Sequence, residues 1–91
     1  MITLSARLSF HIPHARSLKD KRMVARSMLD GARHRFHVAI AEVDTREAHQ
    51  LLTIGVAVVS GEAAHAREML DAAIRYLENH EDAELVDVEW C

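Results

Sequence analysis

The chain has 91 residues, 49% apolar and 27% charged, which is typical of one globular domain. No apolar run approaches the roughly 18 residues of a membrane span, and the single cysteine, Cys91, excludes an intrachain disulfide. The net charge of −3 hides a split, because residues 1–41 carry eight Lys/Arg and two acids, and residues 42–91 carry three Lys/Arg and twelve acids. We expect one cytoplasmic domain, residues 1–91, whose first half would meet any polyanionic partner.

The first predicted element is a strand over residues 2–12 with strict alternation. Apolar residues on one side should pack on a core: Ile2, Leu4, Ala6, Leu8, Phe10 and Ile12. Polar residues should line the other side: Thr3, Ser5, Arg7, Ser9 and His11. The pattern predicts a sheet with one covered and one open face, and Pro13 ends the strand.

A basic helix follows, within the stretch from Arg16 to Arg35 that holds seven of the eleven Lys/Arg residues. Ser17 is a good N-cap, and Asp20 suits the positive end of the helix. A helical period places one broad apolar face toward the core: Leu18, Val24, Ala25, Met28, Leu29, Ala32 and Phe36. Gly31 interrupts the helix and would allow close packing.

Basic side chains gather at the start of this helix and in a stripe beside its apolar face. Unpaired backbone N–H groups at a helix start favour an anion such as phosphate. The predicted phosphate-binding residues are Arg16, Ser17, Lys19, Lys21, Arg22, Arg26 and Arg33. The alternative is a solvated helix face with no partner.

Two strands come next. His37–Asp44 is rich in small and β-branched residues, and Thr45–Gln50 should connect it to the segment 51–59. Apolar residues would occupy both faces of that strand, with Thr53 and Gly55 as the exceptions, and this pattern predicts a central strand.

Ser60 is predicted to cap a second helix that ends near Asn79 and His80, before a last strand in which Val86, Val88 and Trp90 share one face. The order β-α-β-β-α-β predicts a ferredoxin-like α+β fold, a four-stranded antiparallel sheet with two helices on one face. Strands one and three should be central. Apolar residues of strand three on the open face would suit a second copy of the chain.

No pattern of residues identifies a reaction. The pairs His11/His14 and His34/His37 should lie at opposite edges, so we predict no metal site. The sequence has no phosphate-binding glycine motif, no nucleophile elbow and no C-x-x-C, so we predict no cofactor and no catalytic residue. Glu42 and Asp44 should point to the same side of a strand, where a solvated strand end is the simpler interpretation. The chain has four Phe, Tyr and Trp residues, and Phe10, Phe36 and Tyr76 should belong to the core, so base stacking is not expected.

Four segments resemble the YlxP-like family of small bacterial proteins, a family without an assigned function. They are His11–Arg22 (HIPHARSLKDKR), Arg35–Val43, Gly55–Ser60 and Ala83–Asp87. The resemblance implies a ferredoxin-like fold and a bacterial cytosolic protein. It also implies a link to ribosomes or RNA, since genes of the family often neighbour those for ribosome maturation and translation factors. The connection Thr45–Leu52 lacks a Trp that members often have.

We therefore expect a non-enzymatic protein that binds rRNA or a ribosomal particle through its basic helix. The alternative is a homodimeric interaction module that uses the open sheet face and has no nucleic-acid role. A metal- or small-ligand-binding enzyme that uses the His and carboxylate groups is the third interpretation.

Overall fold

A computed structural model describes residues 1–45 and 47–91. The order of elements is β1 (Ile2–His11), α1 (Leu18–Arg35), β2 (Ala39–Glu42), β3 (Leu51–Ser60), α2 (Ala63–Glu78) and β4 (Glu84–Trp90). The four strands form one antiparallel sheet, and the predicted ferredoxin-like α+β fold is confirmed. Arg46, in the predicted connection Thr45–Gln50, lies outside the described residues.

The strand order is β2-β3-β1-β4, so β1 and β3 are central as predicted. They pair over their full lengths, from Ile2 opposite Ser60 to His11 opposite Leu51. The predicted inward face of β1 is confirmed, because Ala6, Leu8 and Phe10 are buried against the helices. Their β3 counterparts on the same face are also buried: Leu52, Ile54, Val56 and Val58.

Both helices cover the same side of the sheet. Helix α1 packs over β2, whereas α2 packs over β3 and β1. The helices meet at Gly31, where a Cβ atom would lie 2.0 Å from the Tyr76 hydroxyl. Tyr76 packs edge-on against Phe36, with ring centroids 5.8 Å apart. The small residue therefore permits close contact between the helices.

The start of α1 follows the prediction. The Ser17 hydroxyl accepts a hydrogen bond from the Asp20 backbone N–H at 3.1 Å. The Asp20 carboxylate in turn accepts from the Arg16 N–H at 3.0 Å. These two bonds form a variant of the capping box and fix where the helix begins.

Two predicted boundaries are corrected. Strand β2 covers only Ala39–Glu42 rather than residues 37–44. Beyond its C-terminal end, Asp44 adopts a left-handed backbone with a φ of 61°, which is incompatible with an extended strand. The N-cap of α2 is Glu62 and not Ser60, and it makes no side-chain capping bond. The Ser60 hydroxyl instead accepts from the Glu62 N–H one residue before the helix begins.

A β-bulge changes which side chains of β4 face the core. Leu8 pairs with Val88, but Phe10 pairs with Leu85, so the register shifts between Ser9 and Phe10. Leu85 and Val88 therefore pack against the core, whereas Val86 is exposed. The prediction that Val86 shares a face with Val88 was wrong, because one extra residue in a strand reverses the alternation beyond it.

Candidate functional site

Four basic side chains form a straight row on the outer surface of α1. Lys19, Arg22, Arg26 and Arg33 are all exposed, and at 100° per residue they fall within a stripe about 60° wide. A rise of 1.5 Å per residue gives this cationic row a length of roughly 21 Å. The row lies beside the buried face formed by Ala25, Met28 and Ala32, so packing holds the helix in place.

The three arginines of the row border a shallow groove between α1 and the edge strand β2. Arg22, Arg26 and Arg33 line it together with Asp30 and Glu42. The Arg33 guanidinium donates to the Ile40 backbone oxygen at 2.8 Å and lies 3.6 Å from an Asp30 carboxylate oxygen. Arg33 therefore joins the helix to the sheet edge while its side chain stays half exposed.

Lys21 has a different environment from the other predicted phosphate-binding residues. Its side chain is only 1% exposed. The ammonium donates to the backbone oxygens of Thr45, Ala48 at 2.5 Å and Leu51 at 3.1 Å. It also lies 2.9 Å from Glu42 Oε2, a buried atom that is paired by charge but not by a well-directed hydrogen bond. We call these partners the Lys21 network.

The prediction that Lys21 binds phosphate at the surface is therefore corrected. Its donors are directed into the protein, where they hold the segment after β2 against α1. The network has an electrostatic effect on the groove, because Lys21 neutralises Glu42, an acid of the groove wall. With Glu42 paired internally, Asp30 is the remaining acid facing the three groove arginines.

The helix start is also less open to an anion than predicted. The Asp20 carboxylate already lies beside the first turn, where it accepts from the Arg16 N–H. The Ser17 hydroxyl is occupied by the Asp20 N–H. Arg16 remains exposed near this end. The structure thus brings Arg22, Arg26 and Arg33 together and separates them from Ser17 and Lys21.

Glu42 and Asp44 do not form the predicted same-side pair. Glu42 faces α1 and Lys21, whereas Asp44 faces the open side of the sheet, 3.4 Å from Arg7. The left-handed backbone at Asp44 causes this separation. Arg7 also lies 3.5 Å from Glu89 of β4, so two carboxylates neutralise the only arginine of β1.

The open sheet face has a floor of small side chains. A groove crosses β1, β2 and β3 over these residues: Ser5, Ala39, Ala41, Gly55 and Ala57. The predicted apolar stripe of β3 is limited to its ends, where Leu51 and Val59 are 39% and 61% exposed. Thr53 is buried, and its backbone N–H donates to the Thr45 hydroxyl at 2.7 Å.

The histidines lie in separate environments. His11 lies 3.8 Å from Glu84, His65 contacts the Ser60 hydroxyl, and His80 contacts Ser27. Within residues 1–45 and 47–91, no group of three or more His, Cys, Asp and Glu side chains is arranged to hold a metal ion. In the same residues, no helix has the length and hydropathy needed to cross a membrane.

These features define a small ferredoxin-like α+β domain whose first helix carries an exposed cationic row. The sequence profile of the family described as "Protein of unknown function (DUF503)" matches residues 3–90, and the chain belongs to that family. The chain is also similar to "Uncharacterized protein YlxP" of Bacillus subtilis (strain 168). The two are 27% identical over 78 residues, which cover 84% of this chain and 85% of that protein. The resemblance to the YlxP-like family is thereby confirmed.

Proposed function

We propose that this protein is a non-enzymatic RNA- or ribosome-associated protein that binds phosphate groups through the cationic row. The observation that carries the proposal is the alignment of Lys19, Arg22, Arg26 and Arg33 on one exposed stripe of a packed helix. Arginine suits this role because its planar guanidinium can donate two parallel hydrogen bonds to a phosphate. Helix packing already fixes the backbone of the row, so binding has to order the side chains but not the main chain.

The charge distribution also favours the cationic row as the phosphate-binding surface. The chain is acidic overall at −3, so binding to a polyanion requires a local concentration of positive charge. Among the ion pairs in the described parts of the chain, none involves Lys19, Arg22 or Arg26. Their charges are thus directed to solvent. The link to ribosomes rests on the gene neighbourhood that the family resemblance implies.

Replacing Lys19, Arg22 and Arg26 with glutamine should weaken binding to rRNA fragments and ribosomal subunits about ten- to a hundred-fold at low salt. Each phosphate contact contributes roughly −0.9 to the slope of log affinity against log salt, so four contacts predict a slope near −3.6. The triple variant should reduce this slope by roughly 2.7. Fluorescence anisotropy across a salt series measures both quantities.

The matched control replaces three arginines outside the row, Arg35, Arg67 and Arg75, with glutamine. Both variants change the net charge equally, so a difference between them isolates the position of the charges. Circular dichroism must show that both remain folded. Equal binding by the two variants, or no binding by the natural protein at low salt, would refute the proposal.

A second candidate function is a homodimeric interaction module. The groove of small side chains on the open sheet face favours it, because exposed Ala39 and Ala41 and half-buried Ala57 let another surface approach closely. Light scattering should then give twice the monomer mass, and Ala57→Glu should restore the monomer. A monomer at high protein concentration would exclude this function. Both functions can coexist, because they use different faces.

A further inference from the structure

The cationic row is straight and held at both ends. Its N-terminal end lies in the first turn of α1, which is fixed by the hydrogen bonds of Ser17 and Asp20. Its C-terminal end is fixed by Arg33, which donates a hydrogen bond to the Ile40 backbone oxygen of the edge strand β2. Between them, Ala25 and Met28 are buried against the core. The helix backbone therefore presents the four cationic side chains from positions at fixed spacing, and it does not bend to follow a flexible ligand.

None of the four aromatic rings lies on the cationic row, and Trp90, which is 49% exposed, belongs to β4 at the opposite edge of the sheet from β2. Phe10 is fully buried, and Phe36 and Tyr76 pack against each other. The Arg35 guanidinium lies 4.8 Å from the centre of the Tyr76 ring, and that of Arg67 lies 4.3 Å from the centre of the Trp90 ring. These four rings are the complete set of Phe, Tyr and Trp in the sequence. Neither the cationic row nor the open sheet face offers a ring on which a base could stack.

We infer that the cationic row binds the backbone of double-helical RNA in preference to single-stranded RNA. Proteins that bind single strands combine a basic groove with base stacking on aromatic side chains, and no such side chain lies beside the cationic row. A single strand would also have to be ordered along the rigid row. A duplex already holds its phosphates at fixed positions and is recognised largely by shape and backbone contacts. This inference rests on the proposed function and specifies its partner.

The test compares an RNA duplex of about 20 base pairs with a uridine strand of about 40 nucleotides, which carries similar total charge. Anisotropy between about 50 and 200 mM salt should show the duplex binding at least ten-fold more tightly. The duplex slope should lie near −3.6, and four contacts to a single strand would give roughly −2.8. Arg22→Gln/Arg26→Gln should remove most of the preference, whereas Arg67→Gln/Arg75→Gln should preserve it.

Each outcome has a separate meaning. Equal or tighter binding of the uridine strand would overturn the inference while leaving RNA binding by the row intact. A duplex preference that persists in Arg22→Gln/Arg26→Gln would also overturn it, because the preference would then arise elsewhere. Binding of neither RNA at the lowest salt would refute the proposed function itself.

Discussion

Replacing Lys21 with methionine is expected to lower the free energy of unfolding by about 3–5 kcal/mol. The substitution keeps an unbranched side chain in the buried position but removes the ammonium. Glu42 would then be an almost buried carboxylate without its cation, and the backbone oxygens of Ala48 and Leu51 would lose their donor. A domain of this size is stable by only about 5–15 kcal/mol, so the loss would be a large fraction of the total. Denaturant titration measures it.

Lys19→Met is the matched control, because Lys19 is exposed two residues earlier on the same helix and should change stability by less than about 0.5 kcal/mol. The double variant Lys21→Met/Glu42→Gln should recover part of the loss, since it removes the unpaired charge. A cost below about 1 kcal/mol for Lys21→Met would mean that the Lys21 network contributes little to folding. Because the loss of Lys21 is expected to destabilise the fold, Lys21 must be left intact in any variant designed to test RNA binding.

Replacing Gly31 with leucine is expected to lower the free energy of unfolding by about 3 kcal/mol, the upper part of the range for overpacked interiors. Even the Cβ atom would lie 2.0 Å from the Tyr76 hydroxyl and 3.0 Å from the ring carbon that bears it. The Tyr76 ring has limited room to move, because Phe36 packs on it and Arg35 lies over it. Thermal and denaturant unfolding give the magnitude.

Gly31→Ala separates the steric effect from helix propensity. On an exposed helix the change would stabilise by about 1 kcal/mol, so the cost of the contact with Tyr76 is the observed loss plus about 1 kcal/mol. Tyr76→Phe removes the hydroxyl and should reduce the cost of Gly31→Ala, which a double-mutant cycle would detect as a coupling energy. Stabilisation by Gly31→Ala in the natural background would show that the helices can separate without penalty.

The sequence predicts most of the fold because its periodicities are strong. The alternation in β1, the helical period of α1 and the apolar character of β3 identify the elements and place β1 and β3 in the centre. The bulge in β4 was not predictable, because one extra residue leaves no local signal in a seven-residue strand. The early end of β2 goes with a single left-handed residue, Asp44, and aspartate adopts that conformation only occasionally.

The candidate site was predicted in part. The exposed row follows directly from helical spacing, since Arg22, Arg26 and Arg33 lie on one stripe. The burial of Lys21 had a signal, because Lys21 lies three residues after Leu18 and four before Ala25, on the apolar face. What the sequence could not supply was the set of oxygens that makes burial of this lysine tolerable. Three backbone oxygens and the Glu42 carboxylate come from residues 21 to 30 positions away.

The arrangement of strands also makes the molecule an electric dipole. The cationic row flanks β2 at one edge of the sheet, and the other edge is β4, with exposed acids at Glu84, Asp87 and Glu89. Beyond a screening length of about 8 Å in physiological salt, the fields of both edges are largely screened. Within that distance a polyanion would attract one edge and repel the other, and the resulting torque would turn α1 toward it. The β4 edge would repel a polyanion that arrived in the wrong orientation, so under the proposed function the separation of charge would select the angle of approach as well as the contact surface.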